Sequence, residues 1–219
     1  MSTILSTNVG RSVPTEHSGV PTTGIDKQPV DRIDVRAPGP KKGGLGSGVV
    51  GDAVDDRRHH GGDLQAVYAV AREELEWWAS ELGRDLRSGM FGENLTTAGV
   101  DVDGAVVGER WVIGEGDGAV VLEVAGPRIP CRTFAGHMGE RGWVKRFTAR
   151  GRTGAYLSVV VPGVIEPRMP VRVVDRPAHG LTVPDYFRAW MGDKDLARQL
   201  LKAGAVPEPH RGELAARLR

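Results

Sequence analysis

One cysteine, few aromatic residues and almost no net charge set the first limits on this chain. Cys131 is the only cysteine among 219 residues, aromatics make up 5%, and the formal charge is +1. A single thiol excludes an internal disulfide and fits a reducing, cytoplasmic setting. It also excludes an iron–sulfur cluster held by this chain alone, because such clusters usually take four thiolates. The near-neutral balance points to no polyelectrolyte partner. No apolar run approaches the roughly 20 residues that span a bilayer. The N-terminal Met1-Ser2-Thr3-Ile4-Leu5 has no basic segment leading into an apolar one, so no signal peptide is expected. Walker-type Gly-Lys-Ser/Thr, H-x-x-x-H and C-x-x-C patterns are all missing.

Glycine is plentiful, at 31 residues, and valines fall in short runs. That mixture favours short strands joined by tight turns over a helical bundle. The length suits one good-sized core with a small appendage. Residues 4–9 read as a strand. Residues 30–35 carry apolar side chains at Val30, Ile33 and Val35, an imperfect alternation that predicts a half-buried strand with a bulge. Residues 38–48 form a Pro/Gly-rich loop. Leu64, Val67, Tyr68, Ala71, Leu75 and Trp78 recur at steps of three and four, which predicts a helix over 64–82. Asp63 is its expected N-cap and Gly83 its C-terminal stop. The Trp77-Trp78 pair is expected to anchor the core. Strands at 111–113 and 119–124 flank an Asp117-Gly118 turn. Helices are expected at 133–138 and 143–150, and strands at 154–161 and 171–174.

The last forty residues change character. Thr182-Val183-Pro184-Asp185 is a helix start with an N-cap, a proline in the first turn and an acid three residues on. Two further short helices follow, one capped by Asp193 and ended by Gly204, the other over 209–219. Helices this short bury little alone, so they must dock on the strand-rich part or on a second subunit.

Three motifs mislead. Gly46-Ser47-Gly48-Val49-Val50-Gly51 spells G-x-G-x-x-G, but no strand precedes it and no apolar helical stripe follows. The context of a dinucleotide site is therefore absent. His59 and His60 are adjacent and point in different directions on either a helix or a strand, so a shared zinc ion is not expected. One of them could still support an anionic cofactor. The basic residues of the tail, Arg188, Lys194, Arg198 and Lys202, are interspersed with acids and lack the face of a DNA-binding module.

Cys131 stands in Gly126-Pro127-Arg128-Ile129-Pro130-Cys131-Arg132. Two prolines restrict the backbone ahead of the thiol. Arginines three before and one after favour the thiolate, the reactive and metal-binding form.

Four segments together resemble the MOSC family, named for the C-terminal domain of molybdenum cofactor sulfurases. They are residues 24–30 (Gly-Ile-Asp-Lys-Gln-Pro-Val), 56–68 (Asp-Arg-Arg-His-His-Gly-Gly-Asp-Leu-Gln-Ala-Val-Tyr), 91–99 (Phe-Gly-Glu-Asn-Leu-Thr-Thr-Ala-Gly) and 127–131 (Pro-Arg-Ile-Pro-Cys). The helical tail resembles the extension of the YiiM-like bacterial branch. The resemblance implies a mostly β fold with α: a partly closed β-barrel with peripheral helices over 1–178, and a three-helix extension over 179–219. It implies that Cys131 is the catalytic residue and the ligand to molybdenum of a molybdopterin cofactor, or carries a persulfide. Lys27, Arg58, His60, Arg128 and Arg152 would then supply cationic donors to the cofactor, and Asn94 would both donate to and accept from its pterin edge.

The activity implied is reduction of N-hydroxylated compounds, including hydroxylaminopurines, a detoxification. Electrons would come from a separate flavin or iron–sulfur reductase, since one cysteine and no nucleotide fingerprint leave the chain without its own relay. Two other functions share the same thiol. One is a sulfur carrier loaded by a PLP-dependent desulfurase, and the other is a non-catalytic cofactor-binding protein. Neither nucleic acid nor membrane is an expected partner, and a homodimer is allowed.

Overall fold

Alternation along the strands decides where the barrel forms. The computed structural model describes residues 2–219. In chain order come β1 (Thr3–Gly10), β2 (Val13–Pro14), β3 (Thr22–Thr23), β4 (Lys27–Val30), β5 (Ile33–Val35), β6 (Val67–Ala71), α1 (Arg72–Leu82), β7 (Leu95–Ala98), β8 (Arg110–Ile113) and β9 (Val120–Pro127). Then follow α2 (Arg132–Met138), α3 (Trp143–Arg150), β10 (Ala155–Val161), β11 (Gly163–Ile165), β12 (Val171–Val174), α4 (Val183–Trp190), α5 (Lys194–Lys202) and α6 (Glu208–Ala216).

Eight strands make one sheet in the order β12-β8-β9-β10-β6-β7-β1-β4, antiparallel except for the β6–β7 pair. The sheet curls until β1 meets the approach to β12. Ile4 donates to the Met169 carbonyl at 2.9 Å and Arg168 donates to the Ile4 carbonyl at 2.7 Å. The barrel is thus partly closed, as expected. Its interior holds Ile4, Val67, Ala69, Leu95, Trp111, Leu122 and Leu157.

The helix expected over 64–82 is half strand. Residues 67–71 are β6, and only α1 from Arg72 is helical. All five residues of β6 are buried. Val67, Ala69 and Ala71 face the barrel, while Tyr68 and Val70 face a second core built with the helices. A strand covered on both faces shows no polar alternation, so its apolar run also satisfies helical spacing. Asp63 does not cap that helix. It opens a short 3-10 turn and accepts from the Gly39 N–H at 2.8 Å. Gly83 does end α1, at φ 63°. Residues 30–35 divide between β4 and β5 in different sheets, where one bulged strand was expected.

The second core gathers three of the four phenylalanines, Phe91, Phe134 and Phe147, around Trp78 and Trp143. Trp78 is buried, but Trp77 is 36% exposed. Its ring lies edge-on to Trp78, with the Arg150 guanidinium 3.7 Å from its centroid.

Behind β12 the chain crosses to the C-terminal helices. The Thr182 capping box forms as the sequence predicts, and Asp193 caps α5. The tail is pinned to the barrel by backbone bonds from Val107 to the Leu181 carbonyl (3.0 Å) and from Val183 to the Ala105 carbonyl (2.9 Å). Gly126 on β9 admits the Tyr186 ring of α4, since a Cβ there would stand 2.8 Å from its Cε1. No described helix is long and apolar enough to cross a membrane.

Candidate functional site

Cys131 follows β9 across the Pro127–Pro130 segment and takes the extended N-cap position of α2. The thiol is half-buried at the junction of two cavities. An inner one of about 100 Å³ reaches Lys27, Ser47, Asp52, Asn94 and Arg128. An outer one of about 460 Å³ opens between the barrel and α4 and α6. Cys131, His60 and Tyr156 border both.

Burial pushes the Cys131 thiol up, but a hydrogen bond from the His60 side chain, the Arg128 charge and the Phe134 backbone N–H outweigh it. The thiol is drawn from 9.0 down to about 6. His60 is held by its own segment. Its N–H donates to the Asp56 carbonyl at 3.0 Å. Behind it Gly62 sits at φ 83°, packed so closely on the 38–48 loop that a Cβ would meet the Lys41 nitrogen at 2.6 Å. Only glycine turns the chain there.

Arg128 is the most unusual group in the site. It is 6% exposed, its guanidinium carbon lies 4.2 Å from the Phe134 ring centroid and 5.1 Å from that of Tyr68, and its Nε is buried without a hydrogen-bond partner. Among the described residues no carboxylate forms an ion pair with it, and the Cys131 thiolate is a counter-charge that acts on it. Burying a guanidinium is costly, and an anion that reached its unbonded Nε from the inner cavity would offset part of that cost.

Lys27 and Asn94 also border the inner cavity, but both are already engaged. Lys27 pairs with Asp52, and Asp52 also accepts from the Gly10 N–H (2.8 Å), the Ser47 hydroxyl (2.8 Å) and Asn94 Nδ2 (3.1 Å). Asn94 Oδ1 accepts from the Tyr68 N–H at 3.2 Å. These two side chains therefore build the cavity floor around Asp52 and have few groups left for a ligand. Arg58 and Arg152 are exposed and border neither cavity. The fold thus brings Cys131, His60, Arg128, Lys27 and Asn94 together and leaves those two outside.

Sequence reasoning did not single out Ser47 and Asp52, or the tail residues Tyr186, Trp190, His210 and Glu213 of the outer cavity. The first pair lies within and just after the G-x-G-x-x-G segment. That segment serves no helix: Gly48 donates to the Ala66 carbonyl and Val50 to that of Asp34, both within 2.9 Å. The tail residues carry no local signal at all.

A partly closed barrel presents a half-buried thiol beside a buried guanidinium at the meeting of two cavities. Residues 56–172 match the MOSC domain family, and the chain belongs to that family as a YiiM-like member. It is 29% identical to the uncharacterized protein YflK of Bacillus subtilis, over 82% of this chain and 76% of that one. It is 28% identical to the protein YiiM of Escherichia coli, over 73% and 71%. A longer protein called a reductase in Gibberella moniliformis is 27% identical across 66% of this chain, which corresponds to 29% of its own length. The solved structure of YiiM from Geobacillus stearothermophilus superposes over the whole of both chains with a TM-score of 0.77 at 27% identity. Family membership associates the chain with the molybdenum cofactor.

The residues present fit that group. The thiolate is a soft donor suited to a thiophilic metal, and the buried guanidinium with its unbonded Nε suits an anionic substituent. Among the described residues no cluster of three or more His, Cys, Asp or Glu side chains could hold a metal. Cys131 would therefore add one ligand to a metal whose other donors arrive with the cofactor.

Proposed function

We propose that the protein is a molybdenum cofactor-dependent reductase of N-hydroxylated compounds, hydroxylaminopurines among them, with Cys131 as the metal ligand. One observation carries the reading. The Cys131 thiol is drawn to about 6 where two cavities meet, beside a buried guanidinium whose Nε has no hydrogen-bond partner among the described residues. Arg128 would hold the anionic part of the cofactor, and the Lys27–Asp52 pair with Ser47 and Asn94 would fix the floor beneath it. When bound, the cofactor supplies the two electrons that cleave the N–O bond. The balance is R–NHOH plus two electrons and two protons giving R–NH2 and water.

The chain's own contribution is binding, orientation and proton delivery. His60 borders both cavities beside the thiol, so its ring is placed to give a proton to the departing hydroxyl. The electrons would come from a separate flavin or iron–sulfur reductase, since the chain offers one cysteine and no nucleotide fingerprint. The reductase name of the longer relative supports this direction.

Molybdenum per chain, measured on protein made in a cofactor-competent host, tests the ligand. N–OH reduction with an artificial electron donor tests the reaction. The wild type should hold stoichiometric molybdenum and reduce the N–OH group, and Cys131→Ser should lose both. Full metal and full reduction in that variant would overturn the assignment.

A second reading rests on the same half-exposed, low-pKa thiol. A desulfurase persulfide would pass its outer sulfur to the Cys131 thiolate and leave as a thiolate itself. Protein that takes up sulfane sulfur at Cys131, and neither holds molybdenum nor reduces N–OH groups, would establish that reading instead.

A further inference from the structure

The Pro/Gly-rich loop over 38–48 takes no part in the chemistry at Cys131, yet it is fastened along its length. Gly44 and Leu45 donate to the carbonyls of Pro40 and Pro38, at 3.0 and 2.8 Å. Gly62 and Asp63 donate to those of Gly46 and Gly39, both at 2.9 Å. Two side chains complete the frame. Lys41 Nζ donates to the His59 carbonyl at 2.8 Å, and Arg57 donates to the carbonyls of Gly44 (3.4 Å) and Leu45 (3.3 Å). The loop and residues 56–60 therefore form one braced platform. It edges the outer cavity, which Lys41 and His59 border together with Cys131.

What the platform shows to solvent is one-sided. Lys41, Lys42, Arg57 and Arg58 are exposed, and no Asp or Glu between 38 and 60 is. The acids of that stretch, Asp52, Asp55 and Asp56, line the inner cavity instead. The Lys41 and Arg57 side chains bond backbone carbonyls and keep their charge. Those of Lys42 and Arg58 have no hydrogen-bond or ion-pair partner among the described residues. Leu45 stands between them, 54% exposed, with its N–H bonded to Pro38 and its carbonyl to Arg57. It gives the platform one apolar contact among four cations.

We propose that this platform docks an acidic electron-carrier protein, of flavin or iron–sulfur type, over the mouth of the outer cavity. The identity of the partner rests on the reductase reading; the charge and shape of the surface do not. Cleaving one N–O bond consumes two electrons and two protons. A one-electron carrier must therefore bind, lose one electron and leave, twice in each turnover. Encounters of this kind are weak and bury less than roughly 1,200 Å², and exposed charge speeds them more than it tightens them. Four cations around one leucine meet that requirement and set the carrier beside the cavity that reaches Cys131.

The experiment measures binding by the full-length protein first and turnover second. The binding probes are an acidic flavodoxin, an acidic plant-type ferredoxin and a short oligothymidylate, each titrated at low and at high salt. The wild type should bind at least one carrier, more weakly at high salt. The double variant Lys42→Glu, Arg58→Glu should weaken carrier binding by about tenfold, as two exposed attractions become repulsions. Leu45→Ser should weaken carrier binding and leave oligothymidylate binding unchanged. The charge-matched double variant Lys194→Glu, Lys202→Glu, at exposed positions of α5, should bind the carrier as the wild type does. In molybdenum-loaded protein the platform variant should lose rate with the carrier as donor and keep it with reduced methyl viologen, a small cation that needs no platform.

The proposal is overturned if the wild type binds neither carrier, or if the platform variant binds as the wild type does. An equal loss in the α5 variant overturns it too, since net charge alone would then explain the effect. Tighter binding of the oligothymidylate than of either carrier would make the platform a nucleic-acid surface instead. Absence of N–OH reduction with methyl viologen would sink the reductase reading and leave the binding result standing.

Discussion

Replacing His60 by alanine should raise the titration midpoint of the Cys131 thiol. In the folded chain the thiol is drawn from 9.0 to about 6, a preference for the thiolate of ~4 kcal/mol at 1.36 kcal/mol per unit. Burial opposes it, so the His60 hydrogen bond and the Arg128 charge must supply more than the net. A hydrogen bond to a charged group contributes about 1.5–3 kcal/mol, so losing it should move the midpoint up by roughly one to two units. Arg128→Leu should move it in the same direction.

The assay is the rate of iodoacetamide alkylation of metal-free protein between pH 4 and pH 10. The midpoint is the quantity to read. The plateau rate is a poor guide, because a more basic thiolate is also intrinsically more nucleophilic. Stability should follow with a definite sign. The folded-state value is depressed, so the unfolded chain binds more protons between about 6 and 9, and stability rises with pH across that window. The contribution is full above 9, falls to ~1.4 kcal/mol at pH 7 and vanishes below 6. Cys131→Ser should therefore lose this pH dependence. A wild-type midpoint near 9, or midpoints unmoved in both His60→Ala and Arg128→Leu, would refute the account of how the thiol is activated.

Three further outcomes follow from the packing. Gly126→Ala places a Cβ 2.8 Å from the Tyr186 ring and should cost about 1–3 kcal/mol of overpacking; an unchanged melting temperature would mean that α4 is not clamped on β9. Asp103, buried and accepting from the Gly154 N–H, has its carboxyl raised from 3.8 to about 6, chiefly by burial. The folded chain therefore binds more protons between those values, so stability falls as pH rises through them, and the penalty is complete above 6. Asp103→Asn should thus stabilise by up to ~3 kcal/mol at pH 7–8 and by almost nothing below pH 4, as read from melting temperatures across pH; a gain that grows towards low pH would contradict the burial argument. Arg58→Ala and Arg152→Ala, both exposed, should leave the thiol midpoint and the molybdenum content at wild-type values, whereas a midpoint raised as in Arg128→Leu, or a loss of molybdenum, would place them at the site after all.

Much of the architecture was legible because its signals are local. The Thr182 capping box, the Asp193 cap and the glycine stop at 83 each act within one helical turn, and all three appear where the residues predict. The 111–124 hairpin is legible for the same reason. The run Val67–Ala71 was not, because packing on both faces erases the alternation that marks a strand.

At the site, the sequence by itself determined the chemistry on offer: one thiol, set just after two prolines and flanked by arginines, in a chain with no second cysteine. It did not determine which cations serve that thiol. Arg58 is two residues from His60 yet is exposed and borders neither cavity, while Arg128 is shut into the wall beside the thiol. Nor did it disclose that Lys27 is held by Asp52, a residue from a rejected motif, or that Trp190 and Glu213 reach the same space as Cys131. Those assignments depend on strand register, barrel closure and the docking of α4 over Gly126. Each is a contact between residues far apart in sequence, and only the folded chain brings them within range.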